Sequence, residues 1–246
     1  MPDEALKDGA TAGRSLKRIF RQDDFLRRVH VQPAESSLLM NRTRMAVFIH
    51  LYACPGDHVR SVARKAGVNL NSAKLHLDRL ESAGYIDSAT LFGRKGFFPK
   101  GMVKAGDMGM VMTLRHGWAL NLVKLAGERR GGRQADFARS AGASQQLTDS
   151  RLRRLESVGL VRKEGKGRAA RYFVGTSVPG KYLAYAGSAK RVARDTASLL
   201  GRDGLSPFGA RVRGTRLSVT VHTPGAKSTL HLECNPLACL RFLDRP

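Results

Sequence analysis

The 246-residue sequence lacks any apolar run long enough to cross a membrane. Its longest candidate, residues 45–54, covers ten residues, includes His50 and ends at Pro55-Gly56. A transmembrane helix needs about 20 consecutive, mostly apolar residues. The N-terminus is charged from Asp3 onward and has no signal-peptide core. We therefore expect no membrane partner and a cytoplasmic protein.

Cysteines are also few, and they do not form a recognisable set. Cys54, Cys234 and Cys239 fit neither a disulfide framework nor paired zinc-ligand spacing, and such cysteines are typical of a reducing cytoplasm. His50 precedes Cys54 by one helical turn, but Pro55-Gly56 is expected to break that helix. We predict no metal site.

Motifs that signal catalysis are missing as well. The sequence contains no P-loop, no GxGxxG after a strand, no HExxH and no Gly-x-Ser-x-Gly. Acidic residues, which often serve as general acids or bases, number only 20. We expect a protein that is not an enzyme and that needs no cofactor.

Positive charge, in contrast, is abundant. Lys and Arg total 43, so the formal net charge is +23 and the isoelectric point is near 11. A globular protein with this charge repels itself, and a polyanionic partner is the usual reason. The charge is uneven, because residues 151–194 hold twelve basic side chains and two acidic ones.

A repeat with an offset of 75 residues organises the chain. Residues 63–86 and 138–161 align without a gap and are identical at ten of 24 positions. Both begin with Ala-Arg-x-Ala-Gly and end with Leu-x-Arg-Leu-Glu-Ser-x-Gly. The same offset aligns Phe97-Phe98 with Tyr172-Phe173. A duplicated domain of about 65 residues explains these matches.

In each copy, the sequence predicts three helices followed by a β-hairpin. Gly67 and Gly142 are expected to end the second helix, while Asn69 and Ser144 cap the third. A turn at residues 93–96 is predicted between two strands of the first copy, and residues 162–168 form the corresponding basic tip of the second.

These motifs, with a basic hairpin that closes on an aromatic pair, resemble the winged helix-turn-helix of ArsR/MarR-like regulators, especially archaeal proteins with two such units in tandem. The resemblance covers residues 38–99 and 112–174. It implies a mainly α fold with small β-wings (α+β), two tandem winged helix-turn-helix domains and DNA binding. We delimit a basic N-terminal tail and amphipathic helix (1–35), the first unit (36–105), the second unit (106–178) and a small C-terminal α+β appendage (179–246).

In a winged helix, the third helix enters the major groove of DNA and the wing lies along the backbone. The expected DNA-binding residues are therefore on the outward face of each third helix and in each wing. In the first unit they are Asn71, Ser72, Lys74, Arg79, Arg94 and Lys95. In the second they are Gln146, Ser150, Arg153, Arg154, Arg162, Lys163, Lys166, Arg168 and Arg171.

Two of these assignments leave an alternative open. Arg79 and Arg154 occupy equivalent positions of the repeat, and they either contact DNA or pair with Glu81 and Glu156. The outward acidic residues Asp78 and Asp149 argue against a surface that binds only phosphate. Some winged helices bind proteins instead of nucleic acid.

Outside the repeats, residues 16–29 predict a basic amphipathic helix that packs on the first unit, pairs subunits in a homodimer or touches phosphate. The linker at 100–110 contains glycines, so hinge freedom is expected. Residues 182–200 predict a helix, 215–222 and 228–234 a hairpin, and 236–243 a last helix.

The resemblance implies a transcription regulator that binds double-stranded DNA through two winged-helix units with different reading faces. A nucleoid-associated protein of low sequence specificity is the first alternative, which the high charge favours. An RNA- or ribosome-binding factor is the second.

Overall fold

The computed structural model describes residues 37–244 except 130, 206 and 224–225. The predicted amphipathic helix at 16–29 lies outside the described residues. Within these residues, helices combine with three small antiparallel sheets, which agrees with the predicted α+β class. Within the described residues, no helix combines the length and apolarity that a bilayer crossing needs.

The first unit contains three helices and three strands. In chain order they are α1 (Arg42–Ala53), β1 (Asp57–His58), α2 (Val59–Ala66), α3 (Leu70–Ser82), β2 (Ile86–Leu91) and β3 (Arg94–Pro99). Strand β3 lies between β1 and β2, and all pairs are antiparallel.

The second unit repeats this order. A 3₁₀ turn (Ala105–Asp107) and α4 (Met108–Leu114) lead into it. Its elements are α5 (Gly117–Glu128), β4 (Gly132–Arg133), α6 (Gln134–Ala141), α7 (Gln145–Ser157), β5 (Val161–Glu164), a 3₁₀ turn (Gly167–Ala169) and β6 (Arg171–Val174). Strand β6 lies between β4 and β5, as β3 does in the first unit.

The predicted capping residues are confirmed. Gly67 and Gly142 follow α2 and α6 with φ values of 67° and 57°, a left-handed conformation that side chains with a Cβ rarely adopt. The Asn69 side chain accepts a hydrogen bond from the Ser72 N–H, and Ser144 does the same for Leu147. These caps fix where the third helix begins in each unit.

The first hairpin turns earlier than the sequence predicts. Its two turn residues are Phe92 and Gly93, both with positive φ, while residues 94–96 belong to β3. Gly96 is required by packing, because a Cβ there would lie 2.8 Å from the Gly56 carbonyl oxygen. The prediction that Gly96 belongs to the turn is therefore wrong.

The linker between the units is packed rather than freely hinged. Met102, Val103 and Met110 are buried in the same core as both units. Asp107 is also buried, and it accepts hydrogen bonds from Tyr185 and Lys181. The expected hinge freedom at 100–110 is therefore not what the structure shows.

The C-terminal segment contains α8 (Ser177–Arg202), β7 (Pro207–Arg213), β8 (Arg216–Thr223), β9 (Ala226–Glu233) and a 3₁₀ helix (Ala238–Asp244). Helix α8 starts before Pro179, because proline is tolerated in a first helical turn, where its missing N–H would have no helical acceptor. The β8–β9 hairpin is as predicted, but β7 was not predicted, and the last helix is 3₁₀ rather than α.

This segment is tied to the first unit by two buried polar contacts. The hydroxyls of Tyr52 in α1 and Thr196 in α8 lie 2.7 Å apart. After α8, the Asp203 carboxylate accepts hydrogen bonds from the backbone N–H groups of Leu38 and Leu39 and from the Tyr85 hydroxyl. Because a buried carboxylate needs such partners, Asp203 holds the start of the first unit against the C-terminal segment.

Candidate nucleic-acid interface

Helix α3 exposes a polar face. Ala73, Leu77 and Leu80 are fully buried and anchor the helix to its unit. The opposite side exposes Asn71 and Lys74, as predicted. The remaining residues of this face are Leu75, Asp78 and Arg79, which are exposed, and Ser72, which is half-buried.

Helix α7 presents the corresponding face in the second unit. Thr148, Leu152 and Leu155 are buried, and Gln146, Ser150 and Arg153 are exposed. The Arg153 guanidinium lies 2.8 Å from the Asp149 carboxylate one turn earlier. Exposed pairs of this kind contribute at most about 1 kcal/mol, so a phosphate or a base can displace the carboxylate.

Arg154 does not lie on that outward face. It is half-buried, and its guanidinium carbon lies 4.3 Å from the centre of the Phe92 ring at the tip of the first hairpin. Neither predicted alternative anticipated this contact. Its repeat equivalent Arg79 is exposed, and Glu81 binds Lys95 and Ser88 instead.

Lys95 of the first hairpin already has partners within its own unit. Its ammonium lies 2.8 Å from Glu81 and 5.1 Å from the centre of the Phe97 ring. Because Glu81 binds Lys95 and the Ser88 hydroxyl, its pKa is lowered although burial acts in the opposite direction. Arg94 is exposed beside the turn.

The second hairpin is the more cationic one. Lys163, Lys166 and Arg171 are exposed along it. Arg162 is half-buried, pairs with Glu164 and lies with its guanidinium carbon 4.7 Å from the centre of the Phe173 ring. The side chain of Arg168 lies outside what the structure describes.

A compact polar cluster in the first unit was not predicted. The corner at Pro55-Gly56 brings Asp57 to His50 and Cys54, so that potential ligand atoms of all three lie within 4.8 Å of one another. The His50 Nε2 atom lies 2.9 Å from Asp57, which also accepts a hydrogen bond from Ser61. The sequence spacing placed His50 near Cys54 but gave no signal for Asp57, which the corner brings to them.

The protonation preferences and contacts of these residues favour a hydrogen-bonded corner over a metal site. Burial raises the pKa of the Cys54 thiol, although the guanidinium of Arg115 acts against that shift. The pKa of Asp57 is lowered, because hydrogen bonds from His50 and Ser61 outweigh its burial. A cation would have to displace these contacts close to Arg115, and the expectation of no metal site stays a prediction.

Comparisons with known proteins assign no family. No protein-family model matches the chain, and no curated protein matches it. Among solved structures, the chain is similar to the mRNA-binding domain of elongation factor SelB from E. coli in complex with SECIS RNA. The sequence identity is 18%, and the match covers 55% of this chain and 98% of that one, with a TM-score of 0.25. A match this weak identifies no relative.

Proposed function

We propose that the chain is a nucleic-acid-binding protein in which two winged helix-turn-helix units bind double-stranded DNA. The observation that carries the proposal is the repeated placement of a capped third helix with an exposed polar face beside a basic hairpin. A third helix of this kind fits the major groove, which admits one α-helix, while the hairpin can follow the backbone.

Charge supports the same proposal and distinguishes the two units. Residues 38–99 hold nine basic and four acidic side chains, a net of +5, and residues 112–174 hold fourteen and five, a net of +9. Phosphate contacts from Lys and Arg supply most of the sequence-independent affinity for DNA. We infer that the second unit contributes more of that affinity.

We further propose that the protein is a transcription regulator. Side chains that can pair with base edges, such as Asn71 and Gln146, occupy the exposed faces of α3 and α7. A nucleoid-associated role is the second candidate, and the net charge of +23 favours it. The difference between the two roles is whether base contacts discriminate among sequences.

Selection from a pool of randomised duplexes separates these roles. We expect the whole chain to enrich a site with two unlike halves, because the exposed residues of α3 and α7 differ. Asn71→Ala and Lys74→Ala should relax preference at one or two base pairs, each pair accounting for about 1–3 kcal/mol of discrimination. Lys163→Ala is the control, and it should weaken binding while leaving the enriched site unchanged. Enrichment of no site by the unmodified chain would support the nucleoid role.

A further inference from the structure

The tip of the first hairpin meets the second unit at a surface that the sequence did not predict. Side chains of Leu91 in β2 and Val158 after α7 both approach Gly109 of α4, within 3.5–3.7 Å of where its Cβ would lie. Phe92 extends from the turn beyond Leu91 and receives the Arg154 guanidinium on its ring. The two units therefore touch beside the helix that is proposed to read DNA in the second unit.

Cationic and aromatic side chains collect at this contact. We define the seam cluster as Arg94 in the first unit and His116, Trp118, Arg151 and Arg154 in the second. The pKa of Arg154 is lowered by burial and by the nearby charge of Arg94. Burial also lowers the pKa of His116, and Arg154, Arg94 and His58 act in the same direction.

Carboxylates do not balance this charge. Within the described residues, neither Arg94 nor Arg154 forms an ion pair, and the Arg154 Nε atom is buried without a hydrogen-bond partner. Asp57 is the acidic group that acts on His116, and its oxygens already bind His50 and Ser61. Unpaired cations held together in a half-buried place destabilise the chain unless an anion joins them.

Aromatic rings belong to the same cluster. The His116 and Trp118 rings are stacked, with centroids 5.7 Å apart and planes inclined by 16°. The Arg151 guanidinium carbon lies 5.4 Å from the centre of the Trp118 ring. Stacking holds each guanidinium in place and leaves its N–H groups able to donate to an oxyanion.

The repeat shows that the fold itself does not require this arrangement. With the offset of 75 residues, Phe92 and Arg94 correspond to Gly167 and Ala169 in the second hairpin. His116 and Trp118 correspond to Asn41 and Thr43 of the first unit. These four residues of the contact therefore have no counterparts at the equivalent positions of the repeat.

We propose that the seam cluster binds the phosphate backbone of the nucleic acid, so that the two units form one continuous binding surface. This inference rests on the proposed function and adds a phosphate site that belongs to neither unit alone. Arg94 and Arg154 donate to the phosphate oxygens, and the negative charge offsets their mutual repulsion. The backbone then runs across the contact between the first hairpin and α7.

Arg94→Gln tests the proposal in the whole chain, because Arg94 is exposed and its removal leaves the core intact. Arg213→Gln on β7 is the matched control, since it removes one exposed arginine far along the chain from the seam. Each variant is titrated with a 24-base-pair DNA duplex at several salt concentrations, and thermal unfolding checks that both variants fold.

We expect Arg94→Gln to weaken binding by roughly 5- to 10-fold near 100 mM salt and to reduce the slope of log affinity against log salt by about 1. Arg213→Gln should change the affinity less than about twofold. If both variants bind like the unmodified chain, while substitutions in the second hairpin still weaken binding, the seam proposal is wrong and the proposed function stands. If the unmodified chain does not bind the duplex, the proposed function fails as well.

Discussion

Raising the salt concentration from about 50 to 200 mM should weaken the binding of the whole chain to duplex DNA by roughly 10³-fold. Each phosphate that Lys or Arg neutralises releases counterions, so the slope of log affinity against log salt is about −0.9 for each contact. Taken together, the exposed and half-buried cations of the second hairpin, α7 and the seam cluster are numerous enough for six contacts. Fluorescence anisotropy with a labelled duplex measures this slope.

The same titration with urea in place of added salt is a useful control, because urea does not exchange with the counterions of DNA. A slope near zero would mean that cationic side chains make few phosphate contacts. The net charge of +23 would then have another cause, and the electrostatic part of the proposed function would be wrong.

Replacing Arg162, Lys163, Lys166 and Arg168 together by Ala should weaken binding to all duplexes alike, by roughly 10²-fold near 100 mM salt. The slope against log salt should fall by about 3, because Arg162 already shares its charge with Glu164. Titration with several unrelated duplexes measures whether the loss depends on sequence.

A control variant with the same net charge distinguishes the effect of where the four cations lie from the effect of the total charge. Lys190, Arg194, Arg211 and Arg213 are exposed and lie in the C-terminal segment, so replacing these four by Ala removes the same charge elsewhere. Equal losses from the two fourfold variants would mean that net charge, rather than the second hairpin, determines affinity. A loss confined to particular sequences would assign base contacts to the hairpin.

The helices of both units could be predicted from the sequence because their ends are marked locally. Gly67 and Gly142 adopt left-handed conformations, and Asn69 and Ser144 cap the helices that follow. The repeat strengthened each of these predictions by providing it twice. Such signals depend on neighbouring residues only, so they do not require knowledge of the tertiary contacts.

Features that depend on tertiary packing were missed. Strands β1 and β4 have two residues each, too few for an alternating pattern, and β7 is exposed along most of its length. The reason for Gly96 is the nearby Gly56 carbonyl, which is 40 positions away in sequence. The methionines of the linker indicate burial, but its glycines led to the prediction of a flexible hinge.

The exposure of single residues of the candidate interface could be predicted, but the contact between the two units could not. Asn71, Lys74, Gln146 and Ser150 are exposed on their helices, as helical periodicity implies. Periodicity could not show that Arg154 would meet Phe92, because that contact depends on how the two units are arranged.

The proposed function requires that this chain binds nucleic acid and prefers double-stranded DNA. One competition titration tests it directly: a labelled 24-base-pair DNA duplex is displaced from the whole chain by unlabelled DNA, by an RNA duplex of the same sequence and by polyglutamate of equal charge. We predict that DNA competes at least about tenfold better than RNA and far better than polyglutamate, because A-form RNA has a major groove too narrow for a reading helix. Equal or better competition by RNA would contradict the preference for DNA, and equal competition by polyglutamate would contradict the claim that the surface recognises nucleic acid at all.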